Sequence, residues 1–145
     1  PAGRTGGALE AVVAALAAEF QNDLPAFYIL TNSRSVDLPG ARKINTEIGR
    51  NLKAAAAGAN RGFVVISRSD STLRGHFPGE VEALSAALDQ PFDGWIINPF
   101  FLEGGRYSIN DVHYVQEGDM LVPAAKTEFA RDRVFGYASS NLRDW

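Results

Sequence analysis

The stretch "GFVVISRSDSTLRGHFPGEVEALSAALD", Gly62–Asp89, decides how this chain reads. Its first six residues, Gly62–Ser67, are too β-branched and too short for a helix and predict a buried strand. Its last twelve, from Pro78, predict a helix with proline in the first turn and Val81, Leu84 and Leu88 inward. Between them lies a loop of hydroxyls, one carboxylate and two arginines. The question is whether this loop only connects a strand to a helix or also holds a small polyhydroxylated anion.

Outward from this stretch the same alternation repeats. "GALEAVVAALAAEF" sets Leu9, Val12, Val13, Leu16 and Phe20 at helical spacing, with Glu10 and Glu19 left for water. Ala26–Thr31 reads as a short buried strand. A second helix covers about Gly40–Gly58, with Ile44, Ile48, Leu52 and Ala55 inward and Gly58 as its C-cap. Gly94–Asn98, "GWIIN", is the third strand. Helices alternating with continuous apolar strands predict an α/β fold, a layered, mostly parallel, Rossmann-like sheet with flanking helices. Beyond Asn98 a hairpin and loop region is expected. "RYSINDVHYV" alternates around Asn110-Asp111, a type I′ turn between Arg106–Ile109 and Val112–Val115; the residues from there to Tyr137 suggest no definite element.

Composition bounds the function. The chain has 145 residues, 46% hydrophobic and 21% charged, consistent with a single domain. A net charge of −3 gives no general field for nucleic acid or an anionic membrane, so an anion must be gripped locally. There are no cysteines, which excludes disulfides and thiolate metal sites and suits a cytoplasmic setting. No apolar run reaches the roughly 20 residues that span a bilayer. The chain starts at Pro1 and stops in "SSNLRDW", which reads as a helix beginning at Ser139, Ser140 or Asn141. Both ends suggest a piece of a longer protein.

In parallel α/β sheets, ligands sit outside the carboxyl ends of the strands. Those ends deliver "TNSRS" with Arg34, "SRSDSTLRG" with Arg68, Asp70 and Arg74, and "NPFFLEGGR" with Arg106. The opposite ends, "NDLPAF", "GANRGF" and "DQPFDGW", are poorer in hydroxyls. A guanidinium fork matches a carboxylate or phosphate. Ser and Thr hydroxyls and an ionised Asp suit vicinal hydroxyls, and glycines at 75, 104 and 105 allow close approach. Taken singly, each loop reads first as an ordinary helix cap with a solvated rim charge, the reading that fits Arg68. Three at one edge point to a site.

Other constellations are weaker. A triad of Ser71, a histidine and Asp70 lacks the G-x-S-x-G elbow. His113, in a hairpin strand, reads as packed or surface. His76, Glu80 and His113 have no metal-ligand spacing. Neither G-x-x-x-x-G-K-[ST] nor a strand followed by G-x-G-x-x-G occurs. Trp95, Trp145, Phe100, Phe101, Phe129 and Phe135 read as core or contact aromatics.

"TNSRS" (31–35), "DSTLRG" (70–75) and "NPFFLEGGRYSINDVHYVQEGDMLVPAAKTEFARD" (98–132) together resemble the N-terminal domain of the four-carbon acid sugar kinase family. The resemblance covers about Ala26 to Trp145. It implies an ATP- and Mg²⁺-dependent kinase for threonate-, erythronate- or 3-oxo-tetronate-like acids. In that family this domain holds the sugar acid, and a separate C-terminal nucleotide-binding domain, absent here, is its partner. By motif position it implies substrate binding at Arg34, Asp70, Ser71, Thr72, Arg74, Gly105 and Arg106. Arg34 and Arg74 would clamp the carboxylate; Asp70 would orient a hydroxyl, and either Asp70 or the family's acidic opening loop would act as base. This chain would then be an incomplete substrate-binding domain that binds without phosphorylating. The family's opening strand and its Asp-Asp-x-Thr-Gly-Ala-type loop are not in this sequence, and His76 stands where Asn is more usual. Two other readings are a non-catalytic small-carboxylate-binding or sensory module and a small hydrolase using Ser71.

Overall fold

The computed structural model describes residues 5–90 and 92–145, with side chains from Glu10 onward. The described residues gather into two compact units, one drawn from residues 5–66 and 76–90, the other from 67–75 and 92–145.

The first unit is built on three helices, α1 (Thr5–Gln21), α2 (Leu38–Ala59) and α3 (Gly79–Leu88). Asp37 starts α2, its carboxylate accepting from the Gly40 amide at 3.0 Å, so the helix begins two residues before the sequence suggests. The C-cap differs from expectation as well. Asn60, not Gly58, takes the left-handed conformation at φ 52° and returns its N–H to the Ala56 and Ala57 carbonyls. Asp89 closes α3 in the same way. Leu52, Leu84 and Leu88 form the core, with Leu16, Phe20, Phe27, Ile48, Phe63 and Val65 packed against it. Phe20 meets Phe27 edge-on at 5.3 Å. The expected inward stripe of α1 holds for Val13, Leu16 and Phe20, whereas Val12 is exposed and the side chain of Leu9 lies outside the described residues.

The segments read as strands, Ala26–Thr31, Gly62–Ser67 and Gly94–Asn98, carry no ladder hydrogen bonds among the described residues. In the first unit two of them alternate as strands do. Phe27, Phe63 and Val65 face the helices, while Tyr28 (95%), Leu30 (85%), Val64 (91%) and Ile66 (87%) are exposed. The parallel sheet therefore stands as a proposal that this alternation supports.

The second unit contains a three-stranded antiparallel meander, β1 (Arg106–Ile109), β2 (Val112–Glu117) and β3 (Met120–Pro123). The β1–β2 turn is type I′ as expected, with Asn110 at φ 50° and Asp111 at φ 66°. The strand β3 was not foreseen. Gly118, at φ 61°, opens a two-residue turn that pairs Glu117 with Met120. Leu73, Val115 and Ala124 form the core here, joined by Phe129, Tyr137, Leu142 and Trp145. The expected helix at the end is a single turn: Trp145 N–H reaches the Asn141 carbonyl, and Asn141 bridges to Val112. That bridge to the meander holds Asn141 in an extended pairing and competes with a helical start.

Candidate functional site

The loop 67–75 belongs to the second unit and turns tightly around Asp70. The Leu73 N–H bonds the Asp70 carbonyl at 3.2 Å, and Leu73 sits in the left-handed region at φ 64°. A non-glycine residue held there costs about 1–2 kcal/mol, so the surroundings must impose it. Burial of the Leu73 side chain against Val115 and Ala124 supplies that constraint.

The turn collects donors onto one carboxylate. Asp70 Oδ2 accepts from the Thr72 N–H, the Thr72 hydroxyl, the Arg74 N–H and, at 2.9 Å, Arg74 Nε; Arg74 Nη2 lies 3.4 Å from Oδ1. Burial raises the Asp70 pKa, but hydrogen bonds from Arg74 and Thr72 and the Arg74 charge outweigh it, and the net direction is down. The hydrogen bond that Arg74 donates to Asp70 leads the causes that raise the Arg74 pKa. Asp132 is a second acidic neighbour, 3.8 Å from Arg74 Nη1. Its other oxygen accepts from the Val134 and Phe135 amides, which fixes its position.

Two donors hold the loop from behind. His113 is fully buried; its Nε2 lies 2.7 Å from the Ser71 carbonyl and its Nδ1 3.0 Å from the Ser108 hydroxyl. Nε2–H thus donates to the carbonyl and Nδ1 accepts from Ser108. Burial lowers the His113 pKa, and the nearby Arg106 charge works in the same direction. Tyr137 Oη donates to the Thr72 carbonyl at 2.8 Å. Burial, then the Asp70 charge, raise the Tyr137 pKa, which keeps this donor protonated.

The third motif lies on β1 and the turn before it. Gly105, at φ 69°, is left-handed, and a Cβ there would stand 3.0 Å from the Gln116 Cβ. Arg106 donates from Nη1 to the Gly104 carbonyl, while its Nε is buried with no hydrogen-bond partner. The guanidinium carbons of Arg74 and Arg106 lie 5.0 and 5.2 Å from the centre of the Phe129 ring.

Of the residues expected from the sequence, the structure brings Asp70, Ser71, Thr72, Arg74, Gly105 and Arg106 into the second unit. Arg34 belongs to the first, exposed on the turn Ser33–Ser35 after left-handed Asn32. His76, also in the first unit, lies with Nε2 2.9 Å from the Val36 carbonyl just beyond that turn. Ser71 meets His113 through its backbone carbonyl, and His76 places Nε2 against the Val36 carbonyl. Arg68 is exposed, as a rim residue would be. Sequence reasoning missed Phe129, Asp132 and Tyr137, and gave His113 only packing. None of them sits in a turn-rich, strand-end loop that would have marked it. An open hollow between α2 and α3, lined by Thr46, Arg50, Lys53 and several alanines, includes none of the motif residues.

A serine- and threonine-rich turn with an ionised carboxylate and two guanidiniums is the equipment of a polyol or acid binder. Comparison with known families agrees: over residues 4–145 the chain matches the model of the sugar-binding N-terminal domain, and it belongs to that family. No curated protein and no solved structure matches it.

Proposed function

We infer that this chain is the acceptor-binding part of an ATP-dependent kinase acting on a four-carbon sugar acid of the threonate, erythronate or 3-oxo-tetronate type, at work in the cytoplasm. The observation that carries the reading is the family match together with the Asp70–Thr72–Arg74 cluster, whose carboxylate stays ionised beside hydroxyl donors. An ionised carboxylate accepts from sugar O–H groups, and a guanidinium answers an acid. Asp70 orients a substrate hydroxyl; Thr72 and Arg74 fix Asp70.

Phosphoryl transfer rests on positioning and on neutralising phosphate charge, with Mg²⁺ supplying much of the neutralisation when bound. Among the described residues no group of three His, Asp or Glu side chains is placed to hold a metal ion, and the sequence holds no phosphate-cradling G-x-x-x-x-G-K-[ST] loop. The resemblance to four-carbon acid sugar kinases supports placing ATP and Mg²⁺ on a separate C-terminal nucleotide-binding domain, with this chain holding the acceptor. Among the described residues no helix is long and apolar enough to cross a membrane.

Calorimetric titration of the chain with threonate, erythronate and 3-oxo-tetronate, beside hexoses, tests the binding half. Acid-dependent ADP release by the longer protein tests the kinase half. Binding of hexoses but not four-carbon acids would replace the substrate; no acid-dependent ADP release would remove the kinase.

A further inference from the structure

The two guanidiniums beside Phe129 are not equivalent. Arg74 is held by Asp70 through Nε and Nη2 and lies 3.8 Å from Asp132 through Nη1, so two carboxylates already take up its charge. Arg106 has no ion pair among the described residues. Its Nη1 meets only a backbone carbonyl, its Nε is buried without a partner, and its charge leans on the ring that Arg74 also touches. A half-buried cation without a counter-charge, near a second cation, is costly unless an anion completes the arrangement. A planar carboxylate fits a guanidinium in two parallel hydrogen bonds.

We propose that Arg106, rather than Arg74, is the residue that takes the carboxylate of the ligand, and that Arg74 is a positioning residue acting through Asp70. This rests on the sugar-acid reading above and divides its site into an acid end at Arg106 and a hydroxyl end at Asp70. Gly105 serves the acid end, because its left-handed backbone lets the turn that carries Arg106 close against Gln116, whose N–H bonds the Gly105 carbonyl at 2.8 Å.

The test follows the arginine Nε–H resonances of the chain by nitrogen-15 NMR during titration with sodium acetate, with inorganic phosphate and with threonate. The Arg106 signal shifts saturably with acetate and threonate, and the Arg74 signal, already bonded to Asp70, moves little. In calorimetry, Arg106→Gln lowers threonate affinity at least about tenfold, the scale of one charged hydrogen bond, down to that of the neutral polyol threitol. Arg106→Lys keeps part of the preference for acid over polyol. Arg74→Lys weakens acid and polyol by the same factor, leaving their ratio unchanged.

An undiminished acid-over-polyol ratio in Arg106→Gln overturns the proposal. So does loss of that ratio in Arg74→Lys alone. Saturation by phosphate but not acetate overturns the carboxylate assignment. Should Arg106→Gln fail to fold, the wild-type resonances and Arg106→Lys still decide. If the wild type binds no four-carbon acid, the sugar-acid reading falls by itself, and the acetate titration alone then judges Arg106: a saturable shift sustains it and no shift ends it.

Discussion

Asp70 joins the local fold to the proposed chemistry, because the carboxylate that closes the turn is also the one proposed to orient a sugar hydroxyl. Asp70→Asn keeps the shape and removes the charge, so Arg74 loses its closest counter-ion. Half-buried charged hydrogen bonds of this kind are worth roughly 1–3 kcal/mol, and urea denaturation should register a loss in that range. Because the folded pKa of Asp70 lies below its ordinary 3.8, its contribution is complete above pH 3.8 and disappears as pH falls through the folded value. His113 acts in a higher window. Its folded pKa is below 6.5, so under that pH the unfolded chain binds a proton that the folded one refuses, and stability falls as pH drops. The expected result is a decline from pH 6.5 downward in the wild type that is absent in His113→Gln; an identical decline in both would show that other groups set the slope. At this scale the sequence was half legible. D-S-T-L-R-G announced Asp70, Thr72 and Arg74 because hydroxyls and charges crowd a turn. His113 and Tyr137 were silent because a residue that bonds a distant carbonyl leaves no local signature.

Among the elements, periodicity carried the helices and the Asn110-Asp111 turn, since both follow from neighbours a few positions away. The helix ends and β3 were less legible, because a cap depends on which residue tolerates a left-handed backbone and β3 is only four residues long with its first two exposed. Asn60 tests the first point. Glycine has no Cβ to strain at φ 52°, so Asn60→Gly should stabilise thermal unfolding by a few tenths to about 1 kcal/mol. Loss of stability would mean that the asparagine side chain contributes more than its backbone costs. The close approach of α2 and α3 gives the opposite prediction. A Cβ at Gly49 would stand 2.7 Å from the Ala87 Cβ and 3.1 Å from the Leu84 carbonyl oxygen, neither of which can swing aside. Gly49→Ala should therefore destabilise by roughly 1–3 kcal/mol despite its better helix propensity, measured by urea unfolding against the control Gly58→Ala, which has open space around it.

Across the whole molecule, alternation in the first unit has a consequence for behaviour in solution. Phe27, Phe63 and Val65 are satisfied by the helices, whereas Tyr28, Leu30, Val64 and Ile66 present apolar side chains to water from segments whose backbone groups have no ladder partners among the described residues. The apolar pattern was legible in the sequence as buried strands; what pairs with them was not, since pairing is a non-local property that no window of residues encodes. Exposed apolar surface joined to unpaired backbone donors and acceptors favours association through added strands. The isolated chain should bind a hydrophobic dye strongly and sediment as larger species as its concentration rises. A double substitution, Leu30→Lys with Val64→Lys, places charges on the bare face without touching Phe27, Phe63 or Val65. It should lower dye binding several-fold and abolish concentration-dependent sedimentation while the helical circular dichroism stays unchanged, because the helices pack only against the opposite face. Equal association in the variant would locate the adhesive surface elsewhere, and loss of helicity would mean that these side chains support the core after all.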